Sequence, residues 1–383
     1  MPLIDVEDVA AMIRISLALA LLASIGGAAH ADQYRHLMFR ETPYAAYRGI
    51  HPIDTQTASE AAHYAFEHDD QGRVSRIVYQ VGSQPVWDNG VWDSFIWFAP
   101  DVRISYEQGR EVHRYYNTRG ERISAHGNVY SAVYTLDADG ERTSLAFFGA
   151  EGEPSESEWG VHRYDWRPSD DGHLFERRYD LNGDMMPMRP ELEFYEIKLE
   201  YDADGKLAFM RNYGLDGVPT NNASGAGIDR ITYDLAGNFI RWQVYDRDGN
   251  AVEGNRPGVH LGEHLYDALG NKIGLRGFDR HGNAQVFSWG SLMTRTAYDA
   301  RGNRTASWTL AADGSEQQRV GWTYSADGTR VETIRGLTPE GEMTAHPGLG
   351  GAAMIRFSYG ADGERSIERF NVDMPVFTPD ADR

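Results

Sequence analysis

Three groups of residues in this 383-residue chain have types and spacing suited to chemistry. His260-Leu261-Gly262-Glu263-His264 sets two imidazoles four positions apart with a carboxylate between them. On a helix such residues share one face and converge on a zinc ion. Here the string runs straight into Tyr266, where the surrounding pattern demands a strand. On a strand the imidazoles would stand about 13 Å apart, at about 3.3 Å per residue, too far for one metal. The Asp-x-Asp-Gly turns at Asp137/Asp139, Asp202/Asp204 and Asp246/Asp248 are the second group. A calcium loop needs about six oxygens or more, and these strings hold half of such a loop. Turn chemistry accounts for them, so no cofactor is expected, with calcium as the alternative. The third group is the run from Val86 to Phe98, which carries Trp87, Asp88, Trp92, Asp93, Phe95, Trp97 and Phe98. Exposed indole faces beside carboxylates suit stacking on sugar rings. Trp87, Asp88, Trp92, Asp93 and Trp97 are therefore the expected ligand-binding residues. The competing expectation is an N-terminal cap, whose tryptophans shield the open end of a repeat array.

Other chemistry is open or excluded. Two carboxylates at a suitable separation can hydrolyse a glycosidic bond, and any two strands can supply them. With 57 acidic residues present, the sequence selects no pair. The chain has no cysteine, which excludes disulfides, thiol nucleophiles and cysteine metal sites. No Gly-x-Ser-x-Gly elbow, phosphate loop or dinucleotide fingerprint stands in its required context.

The elements that must position these residues are visible as a repeat. Gly205, Gly237, Gly270 and Gly302 are spaced 32, 33 and 32 apart, each closing a Tyr-Asp-x-x-Gly string. Each is followed twelve residues later by a second glycine: Gly217, Gly249, Gly282 and Gly314. A weaker form of the same rhythm begins at Gly72/Gly82 and runs on to Gly328/Gly341 and Gly363. This makes about nine tandem units. In each string Asp caps a four-residue turn and Gly takes the positive φ that closes a hairpin. Ile240, Trp242 and Val244 alternate with Arg241 and Gln243, the period of a half-buried strand. The aromatics four residues before the turn glycines are expected to stack from unit to unit. The predicted fold is therefore all-β: tandem antiparallel β-hairpin repeats of about 32 residues forming an elongated or curved, solenoid-like sheet. A β-propeller is the alternative, though its blades usually need a longer period.

The rhythm breaks in three further places. Gly314 and Gly328 are only 14 apart, which predicts a shortened or lost strand. The run His346-Pro347-Gly348-Leu349-Gly350-Gly351 predicts a mobile surface loop. Residues 32–62 lie outside the repeat and are expected to cover the first unit. The repeat domain itself is placed at 63–377, with a tail at 378–383.

Ahead of position 32, Ile15 to Ile25 is an apolar run after Met12-Ile13-Arg14, followed by Ala29-His30-Ala31. This reads as a signal peptide that starts at Met12 and is cut after Ala31, which predicts a periplasmic or secreted protein. The net charge of −20 becomes −18 once the leader's Asp5, Glu7, Asp8 and Arg14 are removed. Such a surface repels nucleic acid and anionic lipid, whose recognition relies on clustered cations.

The Tyr-Asp-x-x-Gly-Asn turns at Tyr233, Tyr266 and Tyr298 resemble the YD repeats of RHS-type bacterial proteins. Those proteins wrap many hundreds of residues into a shell around a toxin, with a protease-like region before it. This chain is shorter and shows no non-repetitive region after the array, so the resemblance implies a strip of curved antiparallel sheet and no toxin role. The expected function is an exported β-repeat protein that binds a cell-surface or extracellular glycan, or a surface protein. An extracellular carboxylate-based enzyme acting on a polymer, or a structural envelope protein, are the alternatives.

Overall fold

The computed structural model describes residues 32–87, 99–190, 192–360 and 365–373. The architecture follows from one turn repeated. In the turn at Asp234, the Gly237 amide donates to the Asp234 carbonyl at 3.1 Å, with Gly237 at φ +94°. The Asp234 carboxylate accepts from the Asn238 amide and, through its other oxygen, from Asn238 Nδ2, both at 2.8 Å. The same Asp–Asn pair recurs at Asp246/Asn250, Asp267/Asn271, Asp279/Asn283 and Asp299/Asn303. This explains why asparagine follows the turn glycine in these units. The extra residue of the turn shows as a bulge before Tyr201, Tyr233, Tyr266 and Tyr298.

The hairpins pair edge to edge without interruption. Asp32–Leu37 lies between Gly49–Pro52 and Ala62–His68. From there each long strand pairs antiparallel with the next until Arg365–Phe370, giving one open sheet of 25 strands among the described residues. A propeller would need separate blades, which continuous pairing excludes. Three two-residue strands, Gln84–Pro85, Met185–Met186 and Ala284–Gln285, pair only to the side.

Each full unit has three turns, not two. After the second turn the chain makes a short bridge, as in Tyr245 to Ala251, and then a third turn. Gly127, Gly160, Gly225, Gly258, Gly290 and Gly350 take positive φ there. The 14-residue interval before Gly328 lacks this third turn, and no strand is lost. Glu316–Tyr324 instead lengthens to 9 residues and runs straight into the next hairpin. The run at 346–351 is the last third turn, with His346 capping Pro347–Leu349 and Leu349 buried. It is packed structure, because Leu349 and the fully buried Ala352 and Ala353 anchor it.

Unit joins unit by polar ties as well as burial. Tyr266, Tyr298, Tyr324 and Tyr359 each tie their unit to the one before. Their hydroxyls donate to backbone carbonyls of the preceding unit, at 2.8, 3.0, 2.8 and 2.9 Å. At the second turns, Glu156, Asn221 and Glu253 each accept the first free amide of the next unit's turn, at 2.8, 2.6 and 2.8 Å.

The segment expected to cover the first unit reaches much further. Tyr134 and Arg142 donate to the Pro43 carbonyl, and Tyr233 donates to that of Phe39. Arg48 reaches Asp204, His51 lies 2.9 Å from Asn238, and the Ala62 amide donates to Arg301. Phe39 stacks on Phe239 with centroids 5.2 Å apart. The sheet therefore curls around residues 39–62, and two apolar clusters form between them and the strands. The curl brings Arg365 to 5.2 Å over the Trp87 ring, so the last strand faces the first unit.

Gly249 tests the turn chemistry in isolation. Its φ is +87°, and an added Cβ would meet nothing within 4 Å. Gly249→Val should therefore lose about 1–3 kcal/mol from backbone strain alone. The Asp248 side chain is 70% exposed, and Asp248→Ala should stay within about 0.5 kcal/mol. Equal urea midpoints for the two variants would overturn this account of the turn.

Candidate functional site

In seven of the six-residue strands the second residue takes one equivalent, buried or half-buried position. Along the array it is Ala132, Tyr164, Ile197, Asp229, Gly262, Thr294 and Ile355. Asp229 alone brings a charge to that position, and it is only 7% exposed. Its carboxylate accepts from Asn255 Nδ2 at 3.0 and 3.3 Å. Asn255 is held for that contact in the left-handed region, at φ +58°. Its own amide donates to Ser224 Oγ at 2.7 Å, and Asn222 Nδ2 donates to its Oδ1 at 2.9 Å. A non-glycine residue there costs backbone energy, and the surrounding bonds sustain it.

Glu41, on the segment inside the curl, faces Asp229. Its Oε2 accepts from Arg189 Nη1 at 3.2 Å. Both carboxyls line one cleft of about 330 Å³, with Phe39, Met210, Phe239 and Trp242. Burial, reinforced by the Glu41 charge, pushes Asp229 up to about 7. A carboxyl perturbed by desolvation plus a specific charge, in a cleft, marks a candidate site.

Trp242 forms one wall, and a glycine makes room for it. Trp242 and Gly262 are directly paired across neighbouring strands. A Cβ at Gly262 would stand 2.0 Å from the indole, so the ring lies over the bare backbone. His264 packs against it with centroids 5.3 Å apart. Burial, then Lys272, lowers His264 to about 3, so it is a neutral ring at any ordinary pH.

The His-x-x-Glu-His string lies on the strand Leu261–Tyr266 and just before it. Its groups are all engaged: His260 Nδ1 lies 2.7 Å from the Val244 carbonyl and His264 Nδ1 2.8 Å from that of Phe239. Glu263 bridges Arg241 and Arg276. Among the described residues, no three His, Asp or Glu side chains gather as a metal would require. Of the expected ligand residues, Trp87 is half-buried beside Arg365. Asp88, Trp92, Asp93 and Trp97 lie outside the described residues.

Asp229, Asn255 and Trp242 were therefore not among the expected site residues. A usable signal was present: an acid at a position that other units fill with apolar or small residues. Glu41 carried no such signal, because the segment that holds it lies outside the repeat.

No family model matches the chain, and no curated protein matches it. Among solved structures, the TcdB2-TccC3-Cdc42 complex is similar over 89% of this chain, at 12% identity and a TM-score of 0.21. The chain spans 20% of that structure's length. A porin-like protein from Bacteroides uniformis is similar at 11% identity and a TM-score of 0.20, over 80% of this chain and 88% of its own. The periplasmic gluconolactonase of Pseudomonas aeruginosa gives 16% identity and a TM-score of 0.14, over 83% and 81% of the two chains. At these scores the likenesses carry no argument about function.

Proposed function

We propose that this protein is an exported saccharide-binding protein whose site is the cleft of Trp242, Asp229 and Glu41. The observation that carries this reading is the Trp242 ring, laid over Gly262 at the wall of a cleft that also holds two carboxyls and Asn255. An aromatic face takes the apolar C–H face of a sugar ring, and acids and amides beside it take the hydroxyls. The net charge of −20 argues against nucleic acid and anionic lipid as partners. The apolar run before Ala31 supports export. On this reading the binding residues lie on the strands 228–245 and the segment at 39–41.

The test is a glycan array probed with the purified protein, followed by titration of the best glycan against variants. Trp242→Ala should weaken binding about 30-fold, the equivalent of about 2 kcal/mol at a hot spot. Gly262→Ala must displace the ring and should weaken it comparably. An array on which no glycan is retained would sink the proposal, as would unchanged affinity in Trp242→Ala.

A further inference from the structure

We infer that this cleft also hydrolyses the saccharide it holds, with Asp229 as proton donor to the glycosidic oxygen and Glu41 as proton acceptor from water. The inference rests on the saccharide reading of the cleft given above.

Two carboxyls line the same cleft, and their partners differ in kind. Glu41 has a cation as its partner, the Arg189 guanidinium at 3.2 Å. Asp229 has a neutral amide as its hydrogen-bonding partner, Asn255. Around it stand Glu41 and the apolar side chains Met210 and Ile231, with Arg189 acting on it only through its charge and outweighed by burial. Such surroundings favour a carboxyl that keeps its proton, and the shift of Asp229 to about 7 agrees. Paired acids whose environments separate them in this way divide into donor and acceptor.

A purely structural role does not call for an acid at position 229. The equivalent positions are filled by Ile197, Gly262, Thr294 and Ile355, and the sheet continues through all of them. A buried acid at this position costs stability that an apolar residue would not. The strained Asn255 backbone adds a further cost in order to hold that acid. Local rules broken together at one cleft are the pattern expected of a working site.

The step balances with water alone. The Asp229 proton passes to the glycosidic oxygen as the bond from that oxygen to the anomeric carbon breaks. The water oxygen bonds the anomeric carbon, and its proton goes to Glu41. Two hydroxyl-ended products form, and the proton returns from Glu41 to Asp229 through solvent. Because water displaces the leaving oxygen directly, with no covalent intermediate, the new anomeric hydroxyl has inverted configuration.

The experiment incubates the purified protein with the polysaccharide it retains best on the array, and measures new reducing ends and the first-formed anomer. The wild-type protein should release product of inverted configuration. Asp229→Asn and Glu41→Gln should each cut the rate by about 10²-fold or more while still retaining the glycan. A glycan that binds but yields no new reducing ends would overturn hydrolysis and leave the binding reading intact. Failure of the wild-type protein to retain any glycan would overturn both. Either variant working at the wild-type rate, or a retained configuration, would overturn the assigned roles. Should Glu41→Gln fail to fold, Asp229→Asn decides the outcome, because it is expected to be the more stable variant.

Discussion

Arg178→Ala is expected to lose about 3–5 kcal/mol, a large fraction of the stability of an ordinary domain. Arg178 and Glu176 form an ion pair at 2.6 Å with side chains only 0% and 1% exposed. Trp166 Nε1 also donates to Glu176, at 2.8 Å. Burial raises Glu176, and Arg178 with Trp166 opposes that rise. Removing the guanidinium leaves a buried acid without its cation. It also removes the Arg178 Nη2 donor from the carbonyls of Phe194 and Tyr195, at 2.7 and 2.9 Å, of which Phe194 still accepts from the Met188 amide. Those carbonyls follow the Arg189–Leu192 bridge, where one unit makes its return without the usual turn glycine. The pair matters because of its burial more than its attraction. A double replacement, Glu176→Leu with Arg178→Met, should therefore recover most of the loss. Urea unfolding of the single and double variants decides this. A single-variant loss below about 1 kcal/mol would show that water reaches the pair.

Asp229→Asn should have the opposite sign, raising stability by about 2–3 kcal/mol at pH 8. The folded-state value of about 7 lies above the unfolded carboxylate value of about 4. Between those pH values the folded protein binds the proton that the unfolded chain has lost. Stability from this group is thus fully present below about pH 4, and is lost as pH rises through about 7. Asparagine does not titrate, so its gain should vanish at pH 4. Asparagine also offers one acceptor oxygen where Asp229 offers two to Asn255, which trims the gain. Thermal melts of both proteins at pH 4 and pH 8 measure it. An Asp229→Asn protein that is less stable at pH 8 would show that the acid is structural. A more stable one would show that the chain keeps this acid at a cost, as working sites commonly do.

The repeat was legible because its signal is local. A turn that needs positive φ can be read from a glycine, and its cap from an aspartate three residues earlier. The strand period can be read from Ile240, Trp242 and Val244. All the repeat glycines from Gly72 to Gly341 have positive φ in the structure. The third turn was missed because it lies in the longer interval between the second glycine and the next first one, where no Tyr-Asp string marks it. Gly127, Gly160, Gly225, Gly258 and Gly290 nevertheless hold one period of their own.

The site was much less legible. Asp229 could be found by comparing equivalent strand positions, because the repeat supplies its own reference. Glu41 could not: it is one acid in a segment with no internal pattern, 188 positions from its partner in the cleft. The sequence alone determined the turns, the strands between them and their order, since each depends on residues within a few positions of one another. Only the tertiary structure decided that the sheet curls around residues 39–62, and therefore which acids meet. The curl is set by long-range contacts, Tyr134 and Arg142 on Pro43, Tyr233 on Phe39 and His51 on Asn238. No periodicity records such contacts, because each is made once.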